Sequence, residues 1–357
     1  HGSYGGISQY NRDLLAAIER IDCIGQVTVI PRKAALPLSV LPDKVSYDLS
    51  GLGGIANYCT AVLRQLARGG RVDGVICGHI NLAPLAGLVG RWRGAPVVLS
   101  THGIEAWTPT PRHLVNRSAS HVDHVLTVSN VTGARFASWS GYPADRITVL
   151  PNTVRLETLG PGEKSPELVR RYHLEGCKVL LTFGRLVAED REKGFDRVLE
   201  VLPKLVARMP ELRYLIAGDG PARARLEAKA QSLGIAERCT FTGFVPDERK
   251  ADIFRLADVF VMPSKGEGFG IVLLEALACG IPALGSIRDG TREALRDGLL
   301  GTLVDPDDQD QIIRGIQAAL SSAREVPAGL EYFSFDRFVD RIGKFLNMMA
   351  DEHAARR

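Results

Sequence analysis

The chain has 357 residues, enough for two domains of ordinary size, with 45% hydrophobic and 24% charged residues in the manner of a globular protein. Its longest apolar runs fall short of a membrane span, and no signal peptide opens it. Net charge is only +3, yet residues 1–160 carry 15 Lys/Arg against 10 Asp/Glu, and no basic cluster interleaved with aromatics marks a nucleic-acid partner. Peripheral contact with anionic lipid, or with an anionic acceptor, is what this basic first half suits. The six cysteines, at 23, 59, 77, 177, 239 and 279, include no Cys-x-x-Cys pair. They read as buried thiols in a reducing cytoplasm, not as a disulfide framework or a zinc site.

The chain opens on His1-Gly2-Ser3-Tyr4-Gly5-Gly6-Ile7, a glycine loop leading into a helix with Leu14, Leu15 and Ile18 apolar. Such a loop ordinarily follows a strand, so a further strand is expected ahead of it in the natural protein. Strands are predicted at 26–30, 74–77, 96–101, 124–128 and 147–150, with helices at 55–68, 83–91 and near 113–120. The strand at 96–101 delivers His102 at its C-terminal end, the edge where open α/β sheets bind ligands. Residues 153–176 are polar, contain Gly160-Pro161-Gly162 and Ser165-Pro166, and read as an interdomain linker.

Alternation restarts with a strand at 178–183, followed by Gly184-Arg185-Leu186 and by Glu192-Lys193-Gly194-Phe195. A helix at 196–209, a strand at 213–217 entering Gly218-Asp219-Gly220-Pro221, and a helix at 222–233 come next. A short apolar strand, Asp258–Ser264, then precedes Glu267-Gly268-Phe269-Gly270, and a helix of good helix formers runs from there to Gly280 and Pro282. Helices at 309–321 and 336–349 end the chain. This alternation in both halves predicts two doubly wound parallel-sheet domains with a cleft between them. Domains are expected at 1–160 and 161–330, with a C-terminal helix in 331–357.

The stretch from Glu267 to Glu275 carries the chemistry. A glycine turn at a helix N-terminus leaves backbone N–H groups free to bind phosphate. The glutamates stand about 12 Å apart along a helical rise, and Glu275 leans back toward the turn. That layout suits a ligand with hydroxyls at both ends and phosphate between them, as in a nucleotide sugar. Arg185 and Lys193, both after the strand at 178–183, would clamp a diphosphate and stabilise it as a leaving group. Either alone would be an ordinary surface charge; with the glycine turn they make a site. No Asp-x-Asp stands at a strand end to bridge phosphates through a metal, so no metal and no cofactor is expected. Gly218-Asp219-Gly220-Pro221 is an incomplete dinucleotide fingerprint, with Arg223 where the third glycine would fall.

Together, Gly5-Gly6, His102, Gly184-Arg185, Lys193-Gly194-Phe195, Gly218-Asp219-Gly220-Pro221, Thr242-Gly243-Phe244-Val245 and the Glu267–Glu275 pair resemble the retaining glycosyltransferases of family four, which have the GT-B fold of two Rossmann-like domains. The resemblance covers essentially the whole chain. It implies that Glu267 contacts donor-sugar hydroxyls and Glu275 the ribose, and that Arg185 and Lys193 hold the diphosphate. It also places the backbone of Gly268, Phe269 and Gly270 by phosphate and sugar, Phe244 and Val245 by the base, Gly6 by the donor phosphate, and His102 near the reacting carbon. By the same resemblance the last helix crosses back onto the first domain. Two positions depart from the family pattern: Gly103 follows the histidine where relatives often have an acidic or amide residue, and Arg155 ends the Pro151-Asn152-Thr153-Val154 segment.

The implied function is metal-independent, retaining transfer of a hexose from a GDP- or UDP-linked sugar to a glycan or lipid-linked saccharide, at the cytoplasmic face of a membrane. The alternatives are a catalytically silent nucleotide-sugar-binding or membrane-associated scaffold subunit, and a sugar-nucleotide epimerase.

Overall fold

A computed structural model describes residues 5–34, 43–187 and 191–355. His1–Tyr4 of the opening glycine loop lie outside the described residues. Two compact units are present, one formed by residues 1–153 with 335–357 and one by 154–334.

In the first unit, β1 (Val27–Val29) and β2 (Val45–Tyr47) form a parallel pair, and β2 was not foreseen from the sequence. A second parallel sheet has the order β3 (Val75–Cys77), β4 (Val97–Thr101), β5 (His124–Thr127), β6 (Ile147–Val149). Strands β4 and β5 are buried along their whole length, as expected of a parallel sheet covered on both faces. The helix Gly6–Glu19 buries Tyr10, Leu14, Ala17 and Ile18 along one stripe. The last helix, Phe335–Ala355, packs on it: the Phe338 ring meets Tyr10 edge-on at 5.8 Å, and Arg20 pairs with Asp336 at 2.7 Å. Further along the same helix, Glu352 Oε2 lies 3.0 Å from His124 Nε2.

The second unit is one six-stranded parallel sheet. Its strands are β7 (Lys178–Phe183), β8 (Leu212–Ala217), β9 (Cys239–Gly243), β10 (Val259–Val261), β11 (Ala283–Ser286) and β12 (Thr302–Val304). They lie in the order β9-β8-β7-β10-β11-β12. The winding reverses between β7 and β10, which pair through Val259 with Leu180 and Phe260 with Leu181. Such a switch point opens a crevice at the C-terminal strand ends. Beneath it runs a buried polar chain: the Tyr214 hydroxyl donates to Thr182 Oγ1 (2.8 Å), which donates to the Val261 carbonyl (2.6 Å). It ties β8, β7 and β10 at one level. Tyr214→Phe deletes a buried donor and strands an acceptor, so it should lower the unfolding free energy by about 1–2 kcal/mol in a denaturant titration.

Two sequence expectations need correction. The segment 154–176 is not a free linker. Val154 bridges Ser334 and donates its N–H to the Phe333 carbonyl at 2.9 Å, the helix Pro166–Arg171 buries Leu168, and Lys164 pairs with Asp258 at 2.7 Å. Its polar composition hid a few anchoring contacts. The cysteines are all unpaired, but only Cys77 and Cys279 are buried, and Cys23 is exposed just beyond the first helix.

Candidate active site

Chain order alone leaves Lys193 and Glu267 far apart; the switch point brings them together. Lys193 follows β7 in a short turn (Arg191–Lys193), and its stem passes beside Gly184. Its Nζ lies 3.6 Å from Glu267 Oε2, with about a fifth of each side chain exposed (21% and 23%). The two loops are also joined through backbone, Lys265 N–H donating to the Glu192 carbonyl at 2.7 Å. Arg185 is exposed at the end of β7, beside Gly184.

The glycine turn is held from below by Asp289, a residue that no sequence motif flagged. Its Oδ2 accepts from the Ser264 hydroxyl (2.7 Å) and the Glu267 N–H (2.9 Å). Its Oδ1 accepts from the Thr291 N–H (3.1 Å), and the Thr291 hydroxyl donates to it at 2.7 Å. Burial pushes the Asp289 carboxyl up to about 6, against these four donors. Gly290 completes the support. Its N–H donates to the Glu267 carbonyl at 2.9 Å, and a Cβ there would stand 2.0 Å from the Gly268 carbonyl oxygen, so no larger residue fits. The available signal was positional: Asp289 follows β11, the strand next to β10.

Beyond the turn, Gly270 is left-handed (φ 94°) and caps the helix Ile271–Ala278. Phe269 is buried with its ring edge-on to Phe333 at 5.6 Å, so only its backbone is available to a ligand. Glu275 is buried in the second turn, with Oε1 3.2 Å from Lys250 Nζ. Lys250 also lies 3.1 Å from Asp247 Oδ1. Burial alone would lower the Lys250 ammonium, but Glu275 and Asp247 outweigh it and hold its pKa above the usual lysine range. Lys250 sits in a mixed-charge run with no local signal, and only the fold pairs it with Glu275. A carboxylate oxygen that accepts one hydrogen bond retains a lone pair for a ligand hydroxyl. After β9, Phe244 is half exposed and Val245 is buried.

The dinucleotide-like turn has a structural explanation. Leu186 N–H donates to the Asp219 carbonyl (3.0 Å), and Ala222 N–H donates to the Leu186 carbonyl (2.9 Å). A Cβ on Gly218 would lie 2.0 Å from the Gly184 oxygen, and one on Gly220 would lie 2.3 Å from that of Leu186. These glycines let two loops touch, and they brace the backbone beside Arg185.

In the first unit, Gly6 starts the opening helix at an exposed position. His102 ends β4, with its ring edge-on to Tyr10 at 4.9 Å and Nε2 3.3 Å from the Gly78 carbonyl. A nitrogen facing a carbonyl carries the proton, which leaves Nδ1 as an acceptor; that atom is shielded and has no hydrogen-bond partner among the described residues. Burial lowers the imidazole to about 4, so the ring is neutral near pH 7 and acts as a polar contact, not a cation. Glu105 Oε1 accepts the backbone N–H of His102 at 2.5 Å, and burial raises this carboxyl above the usual range. His79, not singled out in the sequence, stands close enough for its charge to be felt by Glu105; its Nδ1 accepts from the Asn81 N–H at 3.2 Å.

Comparison with known proteins adds to this geometry. Residues 167–331 match the family model described as Glycosyl transferases group 1, and residues 4–158 match Glycosyltransferase Family 4. A GDP-mannose-dependent alpha-(1-6)-phosphatidylinositol monomannoside mannosyltransferase of Mycolicibacterium smegmatis is 36% identical over 258 residues, 69% of this chain. The chain spans just under two thirds (66%) of that relative's length. A D-inositol 3-phosphate glycosyltransferase of Geodermatophilus obscurus is 30% identical over 326 residues, 84% of this chain and 72% of that one. Among solved structures, Anabaena Alr3699/HepE in complex with UDP and glucose aligns with a TM-score of 0.75 at 17% identity, covering 97% of both chains. Sucrose-phosphate synthase from Thermosynechococcus elongatus gives 0.75 at 21% identity, over 98% of this chain and 94% of that one. These two likenesses are of fold.

Proposed function

Because the chain belongs to glycosyltransferase family 4 and has the two parallel-sheet domains of the GT-B fold, we propose that it transfers a hexose from a nucleoside-diphosphate sugar to a glycan or lipid-linked saccharide, with retention and without a metal. The observation that carries the reading is the Lys193–Glu267 pair beside a glycine turn, at the switch point of the second sheet. Arg185 and Lys193 offset the charge that grows on the departing diphosphate. Glu267 holds sugar hydroxyls, Glu275 the ribose, the backbone from Gly268 to Gly270 the phosphate, and Phe244 with Val245 the base. Gly6 approaches the donor phosphate, and His102 accepts a sugar hydroxyl at Nδ1. The acceptor oxygen bonds to the anomeric carbon as the carbon–phosphate-oxygen bond breaks on the same face. The acceptor proton passes to that phosphate oxygen.

The mycobacterial relatives' names put GDP-mannose first among donors to test. The UDP in the similar fold puts UDP-sugars second. In a thermal-shift screen, one nucleotide family should raise the midpoint, with EDTA making no difference. Glu275→Ala should abolish most of that shift. Absence of any shift from a folded full-length chain overturns the donor site, and loss of the shift in EDTA overturns metal independence.

A further inference from the structure

The imidazole of His102 has one nitrogen committed and one open. Nε2 lies 3.3 Å from the Gly78 carbonyl, while Nδ1 is shielded and has no hydrogen-bond partner among the described residues. One hydrogen bond fixes a point on the ring but lets it swing about that point. An acceptor that must meet a hydroxyl needs its direction fixed as well. Tyr10 supplies that second restraint: its ring is edge-on to the imidazole, with centroids 4.9 Å apart and planes at 73°. Edge-to-face contact of this kind is directional, unlike contact with an aliphatic side chain.

Tyr10 is itself held at two further points. It lies on the buried stripe of the helix Gly6–Glu19, and its hydroxyl donates to the Leu150 carbonyl just past β6, at 3.4 Å. Burial pushes the phenol well above its usual range, so this donor keeps its proton. The Leu150 N–H in turn donates to the Thr127 carbonyl of β5 at 2.8 Å. From the last helix, Phe338 meets the Tyr10 ring at 5.8 Å with planes at 90°, and Phe338 stacks on Phe335. A row of buried rings therefore runs from one end of the chain to the other and on to the end of β4: Phe338, Tyr10, His102. An entirely apolar row would be core packing. This one ends on a polar ring with an open acceptor, and in a close-packed interior a ring cannot be shortened without its neighbours moving.

We infer that Tyr10 is a positioning residue for His102, and that the last helix acts on the imidazole through it. The inference rests on the reading that His102 Nδ1 accepts a sugar hydroxyl. Tyr10 touches no ligand; it sets the direction in which that nitrogen points.

The test joins nitrogen NMR of the His102 ring with kinetics, the probe being GDP-mannose, or UDP-glucose if that is the sugar nucleotide that raises the thermal midpoint. Wild type and Tyr10→Phe should both show a single Nε2–H tautomer, with kcat equal within about twofold, because the ring edge is kept. Tyr10→Leu should show mixed tautomers and a kcat about tenfold lower or worse, with nucleotide affinity unchanged within about threefold. Phe338→Leu, which loosens only the far side of Tyr10, should lower kcat by about threefold and covers the case in which Tyr10→Leu does not fold. A Tyr10→Leu/His102→Ala double variant should be no slower than His102→Ala alone, since Tyr10 acts only through the imidazole. Wild-type kcat and a single tautomer in Tyr10→Leu overturn the inference, and so does a double variant clearly slower than His102→Ala. Normal turnover in His102→Ala would instead strike the role of His102 in the functional reading; the NMR spectrum, which needs no substrate, then decides by itself whether Tyr10 orients the ring.

Discussion

Glu267→Ala should reduce release of nucleoside diphosphate from the donor sugar at least about 100-fold while leaving nucleotide affinity within about threefold. Among the described residues the Glu267 side chain has Lys193 as its ionic partner at 3.6 Å, and the Glu267 backbone N–H and carbonyl are held independently by Asp289 and Gly290. Truncation therefore leaves the turn in place and frees Lys193, which is partly exposed and stays solvated. On the proposed function, what disappears is a carboxylate beside the sugar, an interaction that matters most as charge develops on the anomeric carbon. Glu267→Gln separates the two roles of the group, since it keeps a hydrogen-bond acceptor and removes the charge that pairs with Lys193. Initial rates and nucleotide titrations on the same preparations decide the matter. Near-normal turnover in Glu267→Ala would remove Glu267 from the chemistry and leave the fold assignment untouched.

Asp289→Asn should cost turnover about 10–100-fold although residue 289 need not touch any ligand. An amide offers one acceptor oxygen where the carboxylate offers two. Either its NH2 group faces the Glu267 N–H or it faces the Thr291 N–H, and one backbone donor loses its acceptor. The turn that presents Glu267 then shifts.

Protonation of Asp289 has the same consequence, so wild-type turnover should fall as pH drops through about 6. The sign for stability runs the other way. The folded-state carboxyl is raised above its unfolded value, so the native state binds this proton more tightly. The contribution of Asp289 to stability therefore grows on acidification from about 6 toward the unfolded value. Activity should be lost in that window with no matching fall in the thermal midpoint, and the acid limb should be absent from Asp289→Asn. An acid limb that persists unchanged in the variant would assign it to another group.

Much of this molecule was legible in one dimension. Apolar runs bounded by glycine and proline mark β4, β7 and β10, because a strand buried on both faces must be apolar throughout. The Gly268-Phe269-Gly270 turn is legible because a left-handed helix cap favours glycine, and the Glu267–Glu275 spacing follows from helical rise. Strand order was not written locally. It follows from how the right-handed crossovers pack, and it places Lys193 against Glu267 across 74 residues of chain. Tertiary structure alone also decided that Lys250 balances Glu275, that Asp289 supports the turn from beneath, and that segment 154–176 is anchored. Each rests on one or two directional contacts between distant residues. Composition and periodicity average over many residues and carry no record of such contacts.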